Sequence, residues 1–458
     1  MSDRDLLVAL GSTLVVLVLF GAVGTSFVRL VLGRWSAPDI LAYAIPIGMG
    51  CFTFVVFLAG WAGVPYTPLA LGLISGGSML ALTLGARAAR PHQERASPLT
   101  ARQDFVPLVL IAMLTAAAGA LSVARSYSTW DAMAIYASKA YGMADEGSLL
   151  AAARWGSHGL EYPMNLPLGI MAFRVAGAES LPGSKALFPL VFGSTLAATW
   201  GLFRQRQAHP WLSAGSVLVL GTIPVLFEHG TNGYANLPFS FFLVFGILTL
   251  VEGRAEGEDR RQFLGGCLLA LAVWTRPEGS ILVGLVLLAV ETADRLLKTG
   301  WNRSRAYLLP PLVVTVTWLV FQRSVGIEAE MTSMARNVLG SLREGATHLD
   351  AVYRTNRYLA HRLLTPEAWG LATAVLFAGA TAAVATRAWR SRPQLCIYAV
   401  GGIAAWAGIV GFYWIVSYGA DLSTWLVTGG DRMFLPAVLL LLLASLASLT
   451  EAARSARG

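Results

Sequence analysis

Asp131 raises the question of chemistry first. It stands in "STWDAMAIYASKAYGMADEG" (128–147), where Trp130, Lys139, Asp145 and Glu146 interrupt a chain that is mostly apolar up to that point. A carboxylate there is either a solvated loop charge or an acid/base group at a membrane-edge cleft. With α-helical winding, Asp131, Ala134, Ile135 and Ser138 share one face, and Lys139 follows a turn later. "SHGLEYPMNLPLG" (157–169) adds His158, Glu161 and Tyr162 ahead of an apolar helix. Glu161 either binds a hydroxylated ligand or caps that helix, since acids favour helix N-termini.

Other polar clusters recur later in the chain. "FEHGTNGYANLP" (227–238) concentrates Glu228, His229, Asn232, Tyr234 and Asn236 between two apolar runs. Polar groups so close to hydrocarbon are costly and need a reason. "WTRPEGS" (274–280) places Arg276 and Glu278 around Pro277. This is either a self-neutralised ion pair or a guanidinium offered to a phosphate, whose oxygens it can grip in pairs. "DLSTWLVTGGDRMFLP" (421–436) carries Trp425, then Asp431 as a candidate N-cap and Arg432 as a second candidate phosphate ligand. Acids, amides and arginines at the ends of apolar runs suit a reaction between a lipid-linked phosphate donor and a polar acceptor. The lipid tail stays in the bilayer, a cation meets the phosphate, and a carboxylate serves as general base.

The elements that must position these residues are apolar helices. The 458 residues are 55% hydrophobic and only 13% charged, against about 25% charged in a soluble domain. Continuous apolar runs of spanning length predict an all-α, polytopic transmembrane protein with about 13 spans, not a β-barrel of short alternating strands. The first run, 6–32, is too long for a cleaved signal sequence and has an acidic flank, so it is read as a retained span. The net charge of +8 comes almost wholly from arginine. In this context it marks cytoplasmic loops, and no nucleic-acid partner is expected. Cys51, Cys267 and Cys396 fall in apolar runs and read as core thiols; no metal site is expected.

The arginine-rich stretches 87–102, 204–206, 254–261, 294–305, 387–392 and 451–457 fit one cytoplasmic side. The opposite side then receives two long segments, 125–184 and 324–367. The apolar stretch 165–178 carries Arg174 and is expected to be re-entrant or interface-lying rather than a span, which keeps that parity. Leu349, Val352, Asn356, Leu359 and Leu363 in "THLDAVYRTNRYLAHRLL" (347–364) have helical spacing and suit a helix on the membrane surface. Three regions follow: a three-span extension (1–105), a central module with its long loop 125–184 (106–293), and C-terminal spans with the amphipathic loop 324–367 (294–458). There is no P-loop pattern, so no ATPase of the chain's own is expected.

The ordered set "TWDAMAIYASKA", "EYPMNLPLG", "HGTNGYANLP", "TRPEG" and "STWLVTGGDRMFLP", over about 125–440, resembles the GT-C superfamily of integral-membrane glycosyltransferases. It is similar in particular to the bacterial dolichyl-phosphate-mannose-mannosyltransferase-like and aminoarabinose-transferase-like proteins. The resemblance implies a GT-C-like fold with interface-lying helices in the first long loop. It also implies a polyprenyl-phosphate sugar as donor, transfer with inversion, and Asp131 as the base that deprotonates the acceptor hydroxyl. Relatives often carry an acid where this chain has Asn236. An amide cannot act as a base or hold a metal strongly, which argues against a metal-dependent site.

On this reading Arg276, Arg432 and Lys139 are the candidate contacts to the donor phosphate. Glu161, Tyr162, Glu228, His229 and Asn236 are candidate sugar or acceptor contacts. Trp130 and Trp425 either stack on a sugar or simply anchor helices at the interface. No cofactor is expected beyond the lipid-linked donor. The partners are membrane lipids and a glycan, lipid or protein acceptor, and the expected location is the bacterial inner membrane with the site on the periplasmic or extracellular side. The alternatives are a lipid or polysaccharide transporter and a non-catalytic envelope-assembly scaffold. A transporter places ionisable residues at mid-membrane and shows repeats. Here those residues crowd at the ends of spans and no repeat is visible, which favours the enzyme.

Overall fold

An apolar run can satisfy its own backbone only by coiling into a helix or closing into a barrel, and this chain coils. The computed structural model describes residues 3–33, 36–88, 101–125, 127, 129–155, 160–178, 181–206, 208–327 and 330–456. Among these residues there is no strand. The helices are α1 (Asp3–Leu32), α2 (Ala37–Trp61), α3 (Pro68–Ala88), α4 (Ala101–Ala124), α5 (Ser138–Glu146), α6 (Asn165–Val175), α7 (Leu181–Lys185), α8 (Leu187–Gln205), α9 (Pro210–Gly221), α10 (Pro224–His229) and α11 (Asn236–Glu256). They continue with α12 (Asp259–Thr275), α13 (Gly279–Leu296), α14 (Leu309–Ser324), α15 (Glu330–Arg343), α16 (Leu349–Leu363), α17 (Pro366–Trp369), α18 (Ala372–Thr386), α19 (Ala388–Ser391), α20 (Pro393–Val416), α21 (Leu422–Met433) and α22 (Leu435–Ser455).

Nine helical stretches among the described residues are long and apolar enough to cross a membrane, so the chain is a multi-pass membrane protein. The other expected spans fall on shorter or more charged helices. α9 and α18 are apolar but short, α12 has 17 residues, and α13 carries Glu291, Asp294 and Arg295 in its last turns.

The chain divides into two compact units. The first comprises Met1–Gly221, Phe227–Pro238 and Trp274–Arg276. Its first two helices meet backbone to backbone. A Cβ on Gly24 or Gly48 would run into the main chain of the other helix, so only glycine allows this approach. α2 then packs on α8 and α6. Phe20 contacts Phe52 and, edge-on, Phe173 of α6, with ring centroids 5.3 Å and 6.1 Å away. The 1–105 stretch is therefore built into the same unit as the long loop 125–184.

A buried polar chain runs through that packing. The Thr53 hydroxyl donates to Asn165 Oδ1 at 2.7 Å and accepts from Trp274 Nε1 at 3.1 Å. Asn165 Nδ2 donates to Thr275 Oγ1 at 2.9 Å. All four residues are buried. Thr53→Val keeps the shape but strands an amide oxygen and an indole N–H. The expected cost is about 1–3 kcal/mol, read as a lower melting temperature of the purified protein in detergent; an unchanged melting temperature would refute it.

α6 has 11 residues, short of the roughly 20 a span needs. Asn165 through Phe173 are all buried, so α6 packs inside the unit instead of lying on its surface. Arg174 at its end donates to Asp145 Oδ1 of α5 at 2.8 Å and lies over the Tyr141 ring at 4.6 Å.

The second unit comprises Thr222–Leu226, Phe239–Val273 and Pro277–Gly458. α18 and α20 pack on α22, and α13 packs on α20. Its loop 297–304 is tied down by a charged network. Arg254, 1% exposed, donates to Asp294 Oδ2 at 3.3 Å and pairs with Glu291. Asp294, 0% exposed, also accepts from Arg303 Nε at 2.9 Å and from Thr299. The Tyr307 hydroxyl donates to Glu291.

α16 lies on α20 and α21. Trp406 Nε1 donates to Asn356 Oδ1 at 2.9 Å, and Arg354 Nη2 to Ser423 Oγ at 2.7 Å. Its buried row is Ala351, Thr355 and Leu359. The apolar row expected from Leu349 is thus rotated: Leu349 is exposed, while Val352, Asn356 and Leu363 are half-buried.

Candidate functional site

The candidate residues divide between the units. Asp131, Trp130, Lys139, Glu161, Tyr162, Glu228, His229, Asn236 and Arg276 lie in the first unit; Trp425 and Arg432 lie in the second. His158 lies outside the described residues.

Asp131 opens a π-helix, Asp131–Ala137, that runs directly into α5. The Ser138 N–H and hydroxyl both bond to the Met133 carbonyl, five residues back, the hydroxyl at 2.6 Å. Single π turns inside helices are rare and occur frequently at functional sites. The wider winding changes which side chains share a face. Ala132, Ile135, Tyr136 and Ala137 are buried, while Asp131, Ala134 and Ser138 stay half-buried. Trp130 is exposed.

The loop 227–236 comes to this segment. Thr129 Oγ1 donates to the Asn232 carbonyl at 3.4 Å. Gly233, with a left-handed φ of 87°, sits so close to the Tyr127 ring and Ala132 that a Cβ would collide there. Only glycine meets both demands. Tyr127 is itself fixed: its hydroxyl bonds Ser184 Oγ at 3.0 Å, and Lys185 lies over its ring while donating to the Arg125 carbonyl at 2.7 Å. Ser122 Oγ reaches the carbonyls of Lys185 and Thr231 at 3.2 and 3.3 Å. Within the loop, Asn232 Oδ1 accepts from the Tyr234 N–H at 3.2 Å, and the buried His229 ring rests against Tyr234. Glu228 is exposed and Asn236 buried.

Lys139 is fully buried, with its ammonium 5.5 Å from the Tyr162 ring centroid. A cation held over an aromatic face recovers part of its lost hydration. Lys139 and Tyr162 are thus brought together; Glu161, the residue before Tyr162, is half-buried. Glu161 does not cap α6: the N-cap there is Met164, with no side-chain bond. Arg276 is buried, 9% exposed, directly after the Trp274–Thr275 pair that the Thr53–Asn165 chain holds.

The other acids of the opening segment have structural partners. Asp145 pairs with Arg174. Glu146 accepts from Trp155 Nε1 at 2.7 Å and pairs with Arg154, and Gly142 leaves the room that the Trp155 indole occupies. The Trp155 bond, then Arg154, hold the Glu146 carboxyl below the usual carboxylate range. A lowered folded pKa contributes order that is present above the unfolded pKa and lost as pH falls through the folded one. Acid titration should therefore release Trp155 only below the ordinary Glu range, seen as a change in its fluorescence. Glu146→Gln should abolish that step; a step that survives the substitution refutes the assignment. Burial pushes the neighbouring Tyr141 hydroxyl up to about 12, so it is neutral at working pH.

In the second unit, Asp431 is not an N-cap. It lies inside α21 and takes a two-pronged bond from Arg362, Nε standing 3.0 and 2.8 Å from its oxygens. The cap of α21 is Asp421, which accepts from the Ser423 and Thr424 N–H groups. Arg432 is half-buried beside Gly429, and the Trp425 ring lies 6.2 Å from Phe412.

Sequence reasoning missed the Thr53–Asn165–Thr275 chain and the Tyr127–Lys185 brace. The available signal was a polar side chain inside an apolar run, which is costly unless bonded. Among the described residues no group of three His, Cys, Asp or Glu is placed to hold a metal ion. No protein-family model, no curated protein and no solved structure matches this chain.

Proposed function

We propose that the protein is a membrane glycosyltransferase of the inner membrane that moves one sugar from a polyprenyl-phosphate donor to an acceptor hydroxyl on the non-cytoplasmic side. The observation that carries the reading is the meeting of the Trp130–Asp131 segment with the loop 227–236, through Thr129, Asn232 and Gly233. The π turn at Asp131, the buried Lys139 and the ordered GT-C-like motifs support it.

Asp131 takes the proton of the acceptor hydroxyl as its oxygen attacks the anomeric carbon. The bond from that carbon to the phosphate oxygen breaks, and the polyprenyl phosphate leaves with the electron pair. Lys139 and Arg276 are the cations proposed to hold the leaving phosphate. Glu161, Tyr162, Glu228, His229 and Asn236 are proposed to bind sugar and acceptor hydroxyls, and Trp130 to stack on a sugar face. Proton transfer by a placed carboxylate contributes about 10²–10⁴-fold.

The test compares envelope glycolipids and glycans by mass spectrometry in a deletion strain, the strain carrying the wild-type gene, and the strain carrying Asp131→Asn at equal membrane level. A one-sugar mass difference that returns only with the wild type supports the reading. The absence of any such difference between deletion and wild type refutes it.

A further inference from the structure

An open groove of about 490 Å³ runs between α13 and α20 of the second unit. Leu285, Leu288, Thr292 and Leu296 line it from α13, and Cys396 and Val400 from α20. The one hydroxyl among them is already spent, since Thr292 Oγ1 donates to the Leu288 carbonyl at 2.8 Å. Leu288 and Leu296 are 65% and 77% exposed. Such a wall offers nothing to water and suits hydrocarbon.

The lining rows end in basic residues. Arg295 lies three positions beyond Thr292 and seven beyond Leu288, on the same side of α13, and Lys298 follows the lining residue Leu297. On α20, Arg392 stands one turn before Cys396 and two before Val400. All three are exposed. Arg295 and Lys298 have no side-chain hydrogen bond or ion pair among the described residues. Arg392 is 3.6 Å from Glu451, which Arg454 holds more closely at 3.1 Å. The acids of this end of α13 are engaged elsewhere: Asp294 is buried under Arg254 and Arg303, and Glu291 is bound by Arg254 and Tyr307. The exposed charge at the mouth is therefore basic, while the groove itself is apolar.

We propose that this groove is a binding site for an anionic phospholipid, with an acyl chain along Leu285–Leu296 and Val400 and the phosphate held by Arg295, Lys298 and Arg392. Basic pockets between membrane helices on the arginine-rich side take such headgroups. The long cationic side chains reach the headgroup level while their stems stay on the apolar wall. The site is independent of sugar transfer.

The test uses the full-length protein in detergent, incubated with equal amounts of dioleoyl-phosphatidylglycerol and dioleoyl-phosphatidylcholine. Lipid retained through gel filtration is quantified by mass spectrometry. The wild type should enrich the anionic lipid roughly five- to ten-fold, about 1–1.4 kcal/mol in all. Arg295→Gln, Lys298→Gln and Arg392→Gln together should bring the ratio near parity and leave the zwitterionic lipid unchanged. Ala289→Trp, which fills the groove, should lower both. On the wild type, raising salt to about 0.5 M should remove most of the enrichment by screening. Equal retention of the two lipids by the wild type overturns the proposal. So does enrichment that persists in the charge variant or that ignores salt; the salt arm decides even where a variant fails to fold.

Discussion

Asp131→Asn should lower sugar transfer by roughly 10²–10⁴-fold at unchanged protein level. The substitution is nearly isosteric, so the π turn should persist. What it removes is the ability to accept a proton at neutral pH. The neighbouring acids provide the control. Asp145 is paired with Arg174 and Glu146 with Arg154 and Trp155, so their amide variants should weaken the loop but leave transfer within a few-fold of wild type. Rates are measured on membranes with matched protein, following the one-sugar product by mass spectrometry. If Asp131→Asn transfers at the wild-type rate, Asp131 is not the base. If Asp145→Asn loses as much as Asp131→Asn, the effect is one of loop order, and the role assigned to Asp131 falls.

The apolar runs made the helices legible, because a run of that length has one way to satisfy its backbone. Their lengths were less legible. The last turns of α13 carry Glu291 and Asp294, which fold onto Arg254 and Tyr307, a partnership between residues far apart in sequence. The segment around Asp131 was legible as special but not as a π-helix. A wider turn leaves no mark on composition. Asp431 looked like a cap, yet it lies inside α21, whose cap is Asp421, ten residues earlier. The apolar residues of α6 indicated a helix and its arginine argued against a span. Whether that helix lies on a surface or inside the unit was decided by tertiary partners, Thr53 and Trp274 among them, that no local pattern contains. The approach of loop 227–236 to Thr129 is of the same kind: Gly233 is a turn residue by sequence, and its second role, making room for Tyr127, exists only in the fold.

Arg254→Met should destabilise the second unit by about 3–5 kcal/mol, the usual result of removing one partner from a buried charge pair. Arg254 is 1% exposed and Asp294 0% exposed, so the aspartate cannot turn to water when the guanidinium is lost. Arg303 relieves only part of the loss: it bonds the same oxygen, Oδ2, from a position 37% exposed. Glu291 keeps Tyr307 as a donor but loses its counter-charge. The cost therefore comes from stranded charge, not from the missing hydrocarbon, since methionine fills most of the same space. That account makes a second, separable statement. Adding Glu291→Gln and Asp294→Asn to Arg254→Met removes the stranded charges, while the amide oxygens still accept from Tyr307, Thr299 and Arg303. The triple variant should recover most of the stability that the single one loses, because a buried ionic cluster is worth little over its neutral replacement once desolvation is counted. Thermal unfolding of the detergent-solubilised variants measures both. A single variant as stable as wild type would mean that the cluster is hydrated. A triple variant no better than the single one would mean that packing around Arg254, and not its charge, holds the loop 297–304 to the helices.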